Sequence, residues 1–274
     1  MSVKKMESIL LNTGEVELHL QTSGPRDGVP VVFLPGITSL AKSFNDVIER
    51  MPEFYYCVSV DMRGRGRSTQ VNLSYRMSDY VADVLAVVNS MISNPISPVL
   101  VGHSMGARVA AAFAATYPKL VRGIVAVDPP VNGPGQRDDY PTPLHTFLYQ
   151  KLLADTGRQE EFKAQFPGLS EQLVRLREEE YLNVSLEAIV ESYRGFFTEP
   201  FHVYYKSLVC PTLLLAAEFG NTILDDEFRL LQRLNPDAKS VRVSGVGHMI
   251  YKDDPVRFTQ YVTDFVEQLN GQFA

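Results

Sequence analysis

One pentapeptide, Gly-His-Ser-Met-Gly at positions 102–106, constrains the fold of this chain more than any other feature. An apolar run at 98–101 precedes it, and an alanine-rich stretch at 107–115 follows it. A short apolar run, then glycines, then strong helix formers predict a buried strand, a tight turn and a helix. Because the glycines let the backbone turn sharply, we expect the Ser104 hydroxyl at the tip of a strand.

The same alternation of strand and helix patterns runs along most of the chain. Apolar or alternating runs predict strands at 15–22, 29–34, 55–60, 99–101, 121–127, 212–217 and 241–243. Apolar residues at helical spacing predict helices at 81–91 and 255–269. Strands that alternate with helices indicate an α/β fold with a doubly wound, mostly parallel sheet.

The segment 131–208 interrupts this alternation. It follows a turn rich in proline and glycine at 129–135 and continues with helical stretches rich in Leu, Glu, Arg and aromatic residues. A connection this long between two core strands exceeds a simple loop. We therefore predict a core formed by residues 1–130 and 209–274, with residues 131–208 inserted as a helical cap over the site.

Composition excludes several classes of function. The chain has 274 residues, a formal net charge of −6 and 45% hydrophobic residues, which favours one large core and argues against nucleic-acid binding. The two cysteines, Cys57 and Cys210, are too few for a disulfide framework or a metal cluster. No apolar run reaches membrane-spanning length. We expect a soluble, cytoplasmic protein without metal, cofactor, nucleic-acid partner or membrane contact; the oligomeric state stays open.

A serine hydroxyl becomes a nucleophile only when a base takes its proton, so a histidine is required. His248 lies in a glycine-rich loop between the last predicted strand and the final helix, where this kind of fold delivers its base. The other four histidines fit other roles: His103 supports the turn, His19 is structural, and His145 and His202 belong to the cap and are open to substrate contact.

The acid that would orient His248 is less obvious. In many proteins of this kind it follows the strand predicted at 212–217, but Gly220 stands at that place. Two solutions remain: a nearby carboxylate, from Glu218, Asp225 or Asp226, or Asp128 at the end of the strand predicted at 121–127. Ligands bind at the carboxyl ends of parallel strands, and a histidine base needs a buried carboxylate, so we favour Asp128.

Two backbone N–H groups are needed to stabilise an oxyanion. Met105, which follows Ser104, would supply one. The loop at 35–39 would supply the other, and because Pro35 has no N–H, the donor must be Ile37. A charged segment, Asp-Met-Arg-Gly-Arg-Gly-Arg-Ser at 61–68, follows another strand, and we interpret it as scaffold behind this loop.

These features together resemble the α/β-hydrolase superfamily over nearly the whole chain. Segments 34–39, 61–66, 101–108, 127–135 and 247–250 are similar to the bacterial N-formylmaleamate deformylase group, which acts in nicotinate degradation. In that group the acid follows the strand after the helix that Ser104 precedes. The resemblance implies an α/β-hydrolase fold, a catalytic triad of Ser104, Asp128 and His248, and no cofactor.

The function predicted on this basis is hydrolysis of a C–N amide bond in a small carboxylated substrate, of the formyl-enamide type that includes N-formylmaleamate. A carboxylate would need cationic partners, and Arg137, Arg194 and His202 are the candidates, with Arg175 and Arg177 as further cap arginines. Alternatives are a carboxylesterase or lactonase, a C–C hydrolase of ring-cleavage products, and a non-catalytic receptor or interaction module with the same fold.

Overall fold

The computed structural model describes residues 4–92 and 96–271. Its strands are β1 (Glu7–Asn12), β2 (Glu17–Ser23), β3 (Val29–Leu34), β4 (Tyr55–Val60), β5 (Val99–His103), β6 (Gly123–Val127), β7 (Thr212–Ala217) and β8 (Lys239–Val243). Its helices are α1 (Asn45–Arg50), α2 (Met77–Met91), α3 (Met105–Thr116), α4 (Leu144–Asp155), α5 (Gln159–Ala164), α6 (Glu171–Leu182), α7 (Leu186–Thr198), α8 (Phe201–Lys206), α9 (Asp225–Leu234), α10 (Ile250–Asp253) and α11 (Pro255–Gly271).

The eight strands form one sheet in the order β1-β2-β4-β3-β5-β6-β7-β8. Strands β3 to β8 pair in parallel, whereas β2 runs antiparallel to both β1 and β4. This confirms the α/β-hydrolase fold and the mostly parallel sheet. The sequence analysis missed β1, although it contains three consecutive apolar residues at 9–11, which stay partly or largely exposed at the edge of the sheet.

Both faces of the sheet are covered, which explains the continuous apolar runs of its central strands. Strand β3 sends Val32 and Leu34 into the core on one side and Val31 and Phe33 into the core on the other. The first side is packed by α2, α3 and the helices between β6 and β7, and the second by α1 and α11. Because β3 to β8 run parallel, their carboxyl ends all lie at the same edge of the sheet.

Five helices, α4 to α8, lie between β6 and β7. Two of them begin at serine caps: the Ser170 hydroxyl accepts a hydrogen bond from the Leu173 N–H, and the Ser185 hydroxyl accepts one from the Ala188 N–H. The division into a core and a cap at 131–208 stays a prediction. None of the helices in the described ranges is both long and apolar enough to cross a membrane.

Candidate active site

The turn at 102–106 places Ser104 between the end of β5 and the start of α3. Ser104 has a φ of 54°, an uncommon conformation for a residue with a side chain, and its N–H donates to the Val127 carbonyl at 2.8 Å. The flanking glycines are required sterically. A Cβ at Gly102 would lie 2.3 Å from the Gly106 oxygen, and one at Gly106 would lie 2.0 Å from the Leu34 oxygen.

Asp128 directly follows β6 and is 1% exposed. One carboxylate oxygen, Oδ2, lies 2.7 Å from His248 Nδ1, and the other, Oδ1, accepts a hydrogen bond from the Ala217 N–H at 3.0 Å. The backbone of Asp128 has a φ of 44°, and its N–H donates to the Leu215 carbonyl at 2.7 Å. The carboxylate is thus fixed against the imidazole, at the distance that the acid of a triad requires.

The position where the acid is more often found carries no side chain. A Cβ at Gly220 would lie 3.8 Å from the His248 Cβ, so this glycine does stand beside the histidine. The three alternative carboxylates have other partners: Glu218 accepts from the Gly245 N–H, Asp225 pairs with Arg242, and Asp226 pairs with Arg229. The geometry therefore favours Asp128 over all three.

His103 acts as a support for the loop that carries His248. It is 1% exposed, and its Nε2–H donates to the His248 carbonyl at 2.9 Å. Burial, followed by the proximity of His248, holds the pKa of His103 well below its ordinary value, so the ring stays neutral. Thr222 is a second support, with its hydroxyl 3.1 Å from His248 Nδ1.

The two proposed oxyanion donors flank Ser104. A Cβ at Gly36 would lie 3.3 Å from the Ser104 Cβ, so the loop that carries Ile37 passes directly over the serine. Neither Ile37 nor Met105 uses its N–H in a hydrogen bond to another group of the described chain. The fully buried Arg65 holds both residues, since its Nε donates to the Ile37 carbonyl at 2.9 Å and one Nη lies 3.4 Å from Met105 Sδ.

Comparison with known proteins agrees with this geometry. The model of the alpha/beta hydrolase family matches residues 31–260. The chain belongs to this family.

The relatives of this α/β-hydrolase include two named hydrolases. The chain is 33% identical over 243 residues to N-formylmaleamate deformylase of Pseudomonas putida, which covers 88% of this chain and 89% of that protein. It is 26% identical to 2-(acetamidomethylene)succinate hydrolase of Mesorhizobium japonicum, over 94% of both chains. The crystal structure of an N-formylmaleamic acid deformylase from Pseudomonas putida superposes with a TM-score of 0.83 at 29% identity, over 94% of this chain and 100% of that one. The protein is a hydrolase.

Ser104 and His248 of this hydrolase open onto a cavity of about 400 Å³. Its apolar wall comes from the segment between β6 and β7 and comprises Phe147 of α4, Leu173 of α6, and Phe166 and Leu169 of the loop between α5 and α6. Tyr140 closes one side, with its hydroxyl 3.5 Å from His248 Nε2. Burial, with the nearby Asp128 carboxylate, raises the pKa of Tyr140, so the phenol keeps its proton. Sequence reasoning missed Tyr140, because a lone tyrosine in an irregular loop has no distinguishing pattern.

Three charged side chains meet beside another part of the cavity wall. Arg177 of α6 and Lys252 of α10 line it, and their side chains are 12% and 8% exposed. Both pair with Glu180, which is fully buried: Lys252 Nζ lies 2.8 Å from Oε1, and Arg177 bonds to Oε2. Arg177 also donates to the Thr38 hydroxyl at 3.0 Å. The cavity therefore contains two cations at its wall.

The sequence analysis gave the substrate-binding role to other residues, and the structure does not bring them into the cavity. Arg137 pairs with Glu227 at 3.2 Å and donates to the Thr222 carbonyl at 2.9 Å. Arg194 lies on the exposed face of α7, beside Glu191. His202 is also outside, beside Arg108, where burial lowers its pKa to about 4. We therefore propose Arg177 and Lys252, in place of these three, as the residues that bind a substrate carboxylate. The sequence analysis named Arg177 only as a further cap arginine and did not name Lys252.

The charged segment at 61–68 has the scaffold role expected of it. Arg63 is buried and donates twice to Asp83, at 2.7 and 2.8 Å. Asp61 accepts from His19 Nδ1 at 2.7 Å and from the Ala41 N–H at 2.6 Å. These contacts connect the loop after β4 to β2, to α2 and to the 3₁₀ helix Ala41–Phe44 that follows the Ile37 loop, so they fix the backbone behind the proposed oxyanion site.

Proposed function

We propose that this hydrolase cleaves the C–N bond of a small, carboxylated formyl amide through Ser104, His248 and Asp128. The reaction to test first converts N-formylmaleamate and water into maleamate and formate. The observation that carries the proposal is the 2.7 Å contact between Asp128 Oδ2 and His248 Nδ1, at the base of a cavity that also contains Ser104 and two cations.

The first chemical step forms a bond between Ser104 Oγ and the formyl carbon. His248 Nε2 takes the hydroxyl proton, and the buried Asp128 carboxylate stabilises the imidazolium that results. The negative charge develops on the formyl oxygen. The Ile37 and Met105 N–H groups stabilise it by donating hydrogen bonds from positions that they already hold. Since both N–H groups lack other partners in the described chain, no hydrogen bond has to break first.

The second step breaks the C–N bond. The protonated His248 donates its proton to the leaving nitrogen, and the formyl group stays on Ser104 as an ester. The leaving nitrogen of N-formylmaleamate is already conjugated with a second carbonyl, which makes it a better leaving group than an alkyl amine. Water, deprotonated by His248, then hydrolyses the ester to formate and restores Ser104. Direct attack by water with His248 as general base is the alternative route, and it would give no formyl-enzyme.

Substrate orientation is assigned to the part of the cavity wall that contains Arg177 and Lys252. A carboxylate placed against Arg177 and Lys252 would be held by charge-assisted hydrogen bonds, while the apolar wall excludes water. Lys252 Nζ uses one acceptor, Glu180, so it retains N–H groups for a ligand. The relatives named above support the choice of a carboxylated amide, since both of their named substrates are of that class.

The test is formate release by the purified protein. We expect N-formylmaleamate to be hydrolysed with a kcat/KM at least about a hundredfold above that for 4-nitrophenyl acetate, because only the former can use the cationic wall. Mass spectrometry of a rapidly quenched reaction would show 28 Da added to the peptide that contains Ser104 if the formyl-enzyme forms. A protein that hydrolyses simple esters but releases no formate would refute the deformylase assignment and favour the esterase.

A further inference from the structure

A buried carboxylate, Glu180, pairs with both cations of the cavity wall, Arg177 and Lys252. Glu180 is fully buried, and no part of it lines the cavity. It is held from three directions: by Arg177 from its own helix α6, by Lys252 from α10, and by the Ser43 hydroxyl from the 3₁₀ turn after β3. Burial alone would raise the pKa of Glu180, but Arg177 and Lys252 outweigh it and keep the pKa below its ordinary value. Glu180 is therefore an anion.

The charges of this cluster add to a single positive charge. Arg177 and Lys252 contribute two, and Glu180 removes one. The neighbouring walls contain Phe166, Leu169 and Leu173, so charges there are weakly screened. One ligand carboxylate would neutralise the cluster. A second one would leave an uncompensated negative charge beside these apolar side chains, which is unfavourable because a charge removed from water needs a partner.

We propose that Glu180 limits this site to ligands with one carboxylate and rejects dianions of the same shape. The inference rests on the proposed function, because it specifies which carboxylated substrates the same cavity accepts. Glu180 is here a specificity-determining residue that acts through Arg177 and Lys252 and does not touch the ligand. Without its charge, the wall would present two free cations, which match a dicarboxylate.

Two other carboxylates near the cavity do not change this count. Asp253 also lines the cavity, but its residue is exposed to solvent and its Oδ2 accepts the Gly247 N–H at 2.7 Å. Its charge is therefore screened. Asp128 is buried on the far side of His248 and receives hydrogen bonds from that ring and from the Ala217 N–H. Both are negative, so neither offers a second ligand carboxylate a cationic partner.

Three ligands of nearly equal shape test the charge rule without any turnover. Maleamide, maleamate and maleate carry zero, one and two negative charges at about pH 8. Isothermal titration calorimetry on the wild-type protein should give the tightest binding for maleamate, with maleate at least about tenfold weaker. Maleate that binds as tightly as maleamate, or no binding by any of the three, would overturn the inference.

Glu180→Gln tests the assigned residue. We expect the ratio of maleate to maleamate affinity to rise at least about tenfold, because the wall gains a net positive charge. Glu179→Gln is the matched control: it removes a carboxylate from the adjacent, exposed position of α6, where it pairs with Lys42 at the surface, and should leave the ratio unchanged. An unchanged ratio in folded Glu180→Gln would refute the role of Glu180.

Lys252→Met keeps the inference testable if Glu180→Gln does not fold. This change leaves Arg177 and Glu180 as a neutral pair, so maleamate should lose its advantage over maleamide. A retained advantage would contradict the charge count. Because these measurements are of binding, they are separate from the proposed reaction: a protein that follows the charge rule but releases no formate would refute the deformylase function alone.

Discussion

The two sides of the cavity are built in different ways. On the sheet side, backbone groups fix the reacting residues: the Ser104 N–H bonds to Val127, and the Asp128 carboxylate bonds to the Ala217 N–H. On the helical side, side chains make the attachment, as in the contact of Arg177 with Thr38 and that of Glu180 with Lys252. The sheet side therefore depends on the fold itself, whereas the helical side depends on a few individual side chains.

If the proposed function is correct, this difference separates chemistry from selectivity. Strand ends of a parallel sheet hold nucleophile, acid and base in one arrangement for any substrate that reaches them. We propose that the segment from α4 to α6, together with Lys252 of α10, supplies the apolar and charged groups that select the substrate. Changes on the sheet side should lower kcat for every substrate, and changes on the helical side should alter KM for charged substrates only.

The largest effect is expected for Ser104→Ala. Turnover of every substrate should fall by about 10⁴-fold or more, because the nucleophile is lost while the turn that holds it is kept. Formate release and 4-nitrophenyl acetate hydrolysis should fall together, with the circular dichroism spectrum unchanged. Undiminished activity on either substrate would mean that the sheet side does not carry the chemistry.

Asp128→Asn should follow, with a loss in kcat of about 10³- to 10⁴-fold, since an amide no longer holds the productive tautomer of His248. Asp225→Asn is the control, because Asp225 is an exposed carboxylate that pairs with Arg242 at the surface. Its kcat should stay within about twofold of the wild type. If Asp225→Asn lost as much activity as Asp128→Asn, the loss would not be specific to Asp128 and its assignment as the acid would fail.

Arg177→Met tests the helical side. KM for 4-nitrophenyl hemisuccinate, which carries one carboxylate, should rise about 10- to 100-fold, because one charge-assisted contact is lost. KM for the neutral 4-nitrophenyl acetate should change little. Arg194→Met, at an exposed arginine of α7 outside the cavity, should leave both values unchanged. An equal rise for the two esters in Arg177→Met would show a general packing effect and not recognition of charge.

The smallest effect is a pH dependence of this recognition. Burial lowers the pKa of Lys252, and the Glu180 carboxylate only partly opposes it. The ammonium that attracts the substrate carboxylate is present below this lowered pKa and is lost as the pH rises through it. KM for the hemisuccinate ester should therefore begin to increase at a pH below the ordinary pKa of a lysine. The Lys252→Met variant should not show this increase. A flat profile in the wild type would exclude Lys252 from binding.

Much of the fold could be predicted because its signals are local. Strands β3, β4 and β7 have the predicted bounds, since continuous apolar runs between turn residues mark buried strands. The turn around Ser104 is equally local, because residues 102–106 and the segments on either side, 98–101 and 107–115, specify it. The exposed edge strand β1 was missed, although its apolar residues at 9–11 are also a local signal.

The sequence by itself determined the turn around Ser104, the loop that carries His248 and, with Gly220 at the usual place of the acid, the preference for Asp128. Only the tertiary structure decided what faces the substrate. Arg137 was predicted as a binder from its position after a turn, but Glu227 and the Thr222 carbonyl hold it elsewhere. Glu180 and Lys252 meet although 72 residues separate them. Strand and turn signals depend on neighbours in the chain, whereas the pairing of buried charges depends on which helices pack together, and no local pattern encodes that.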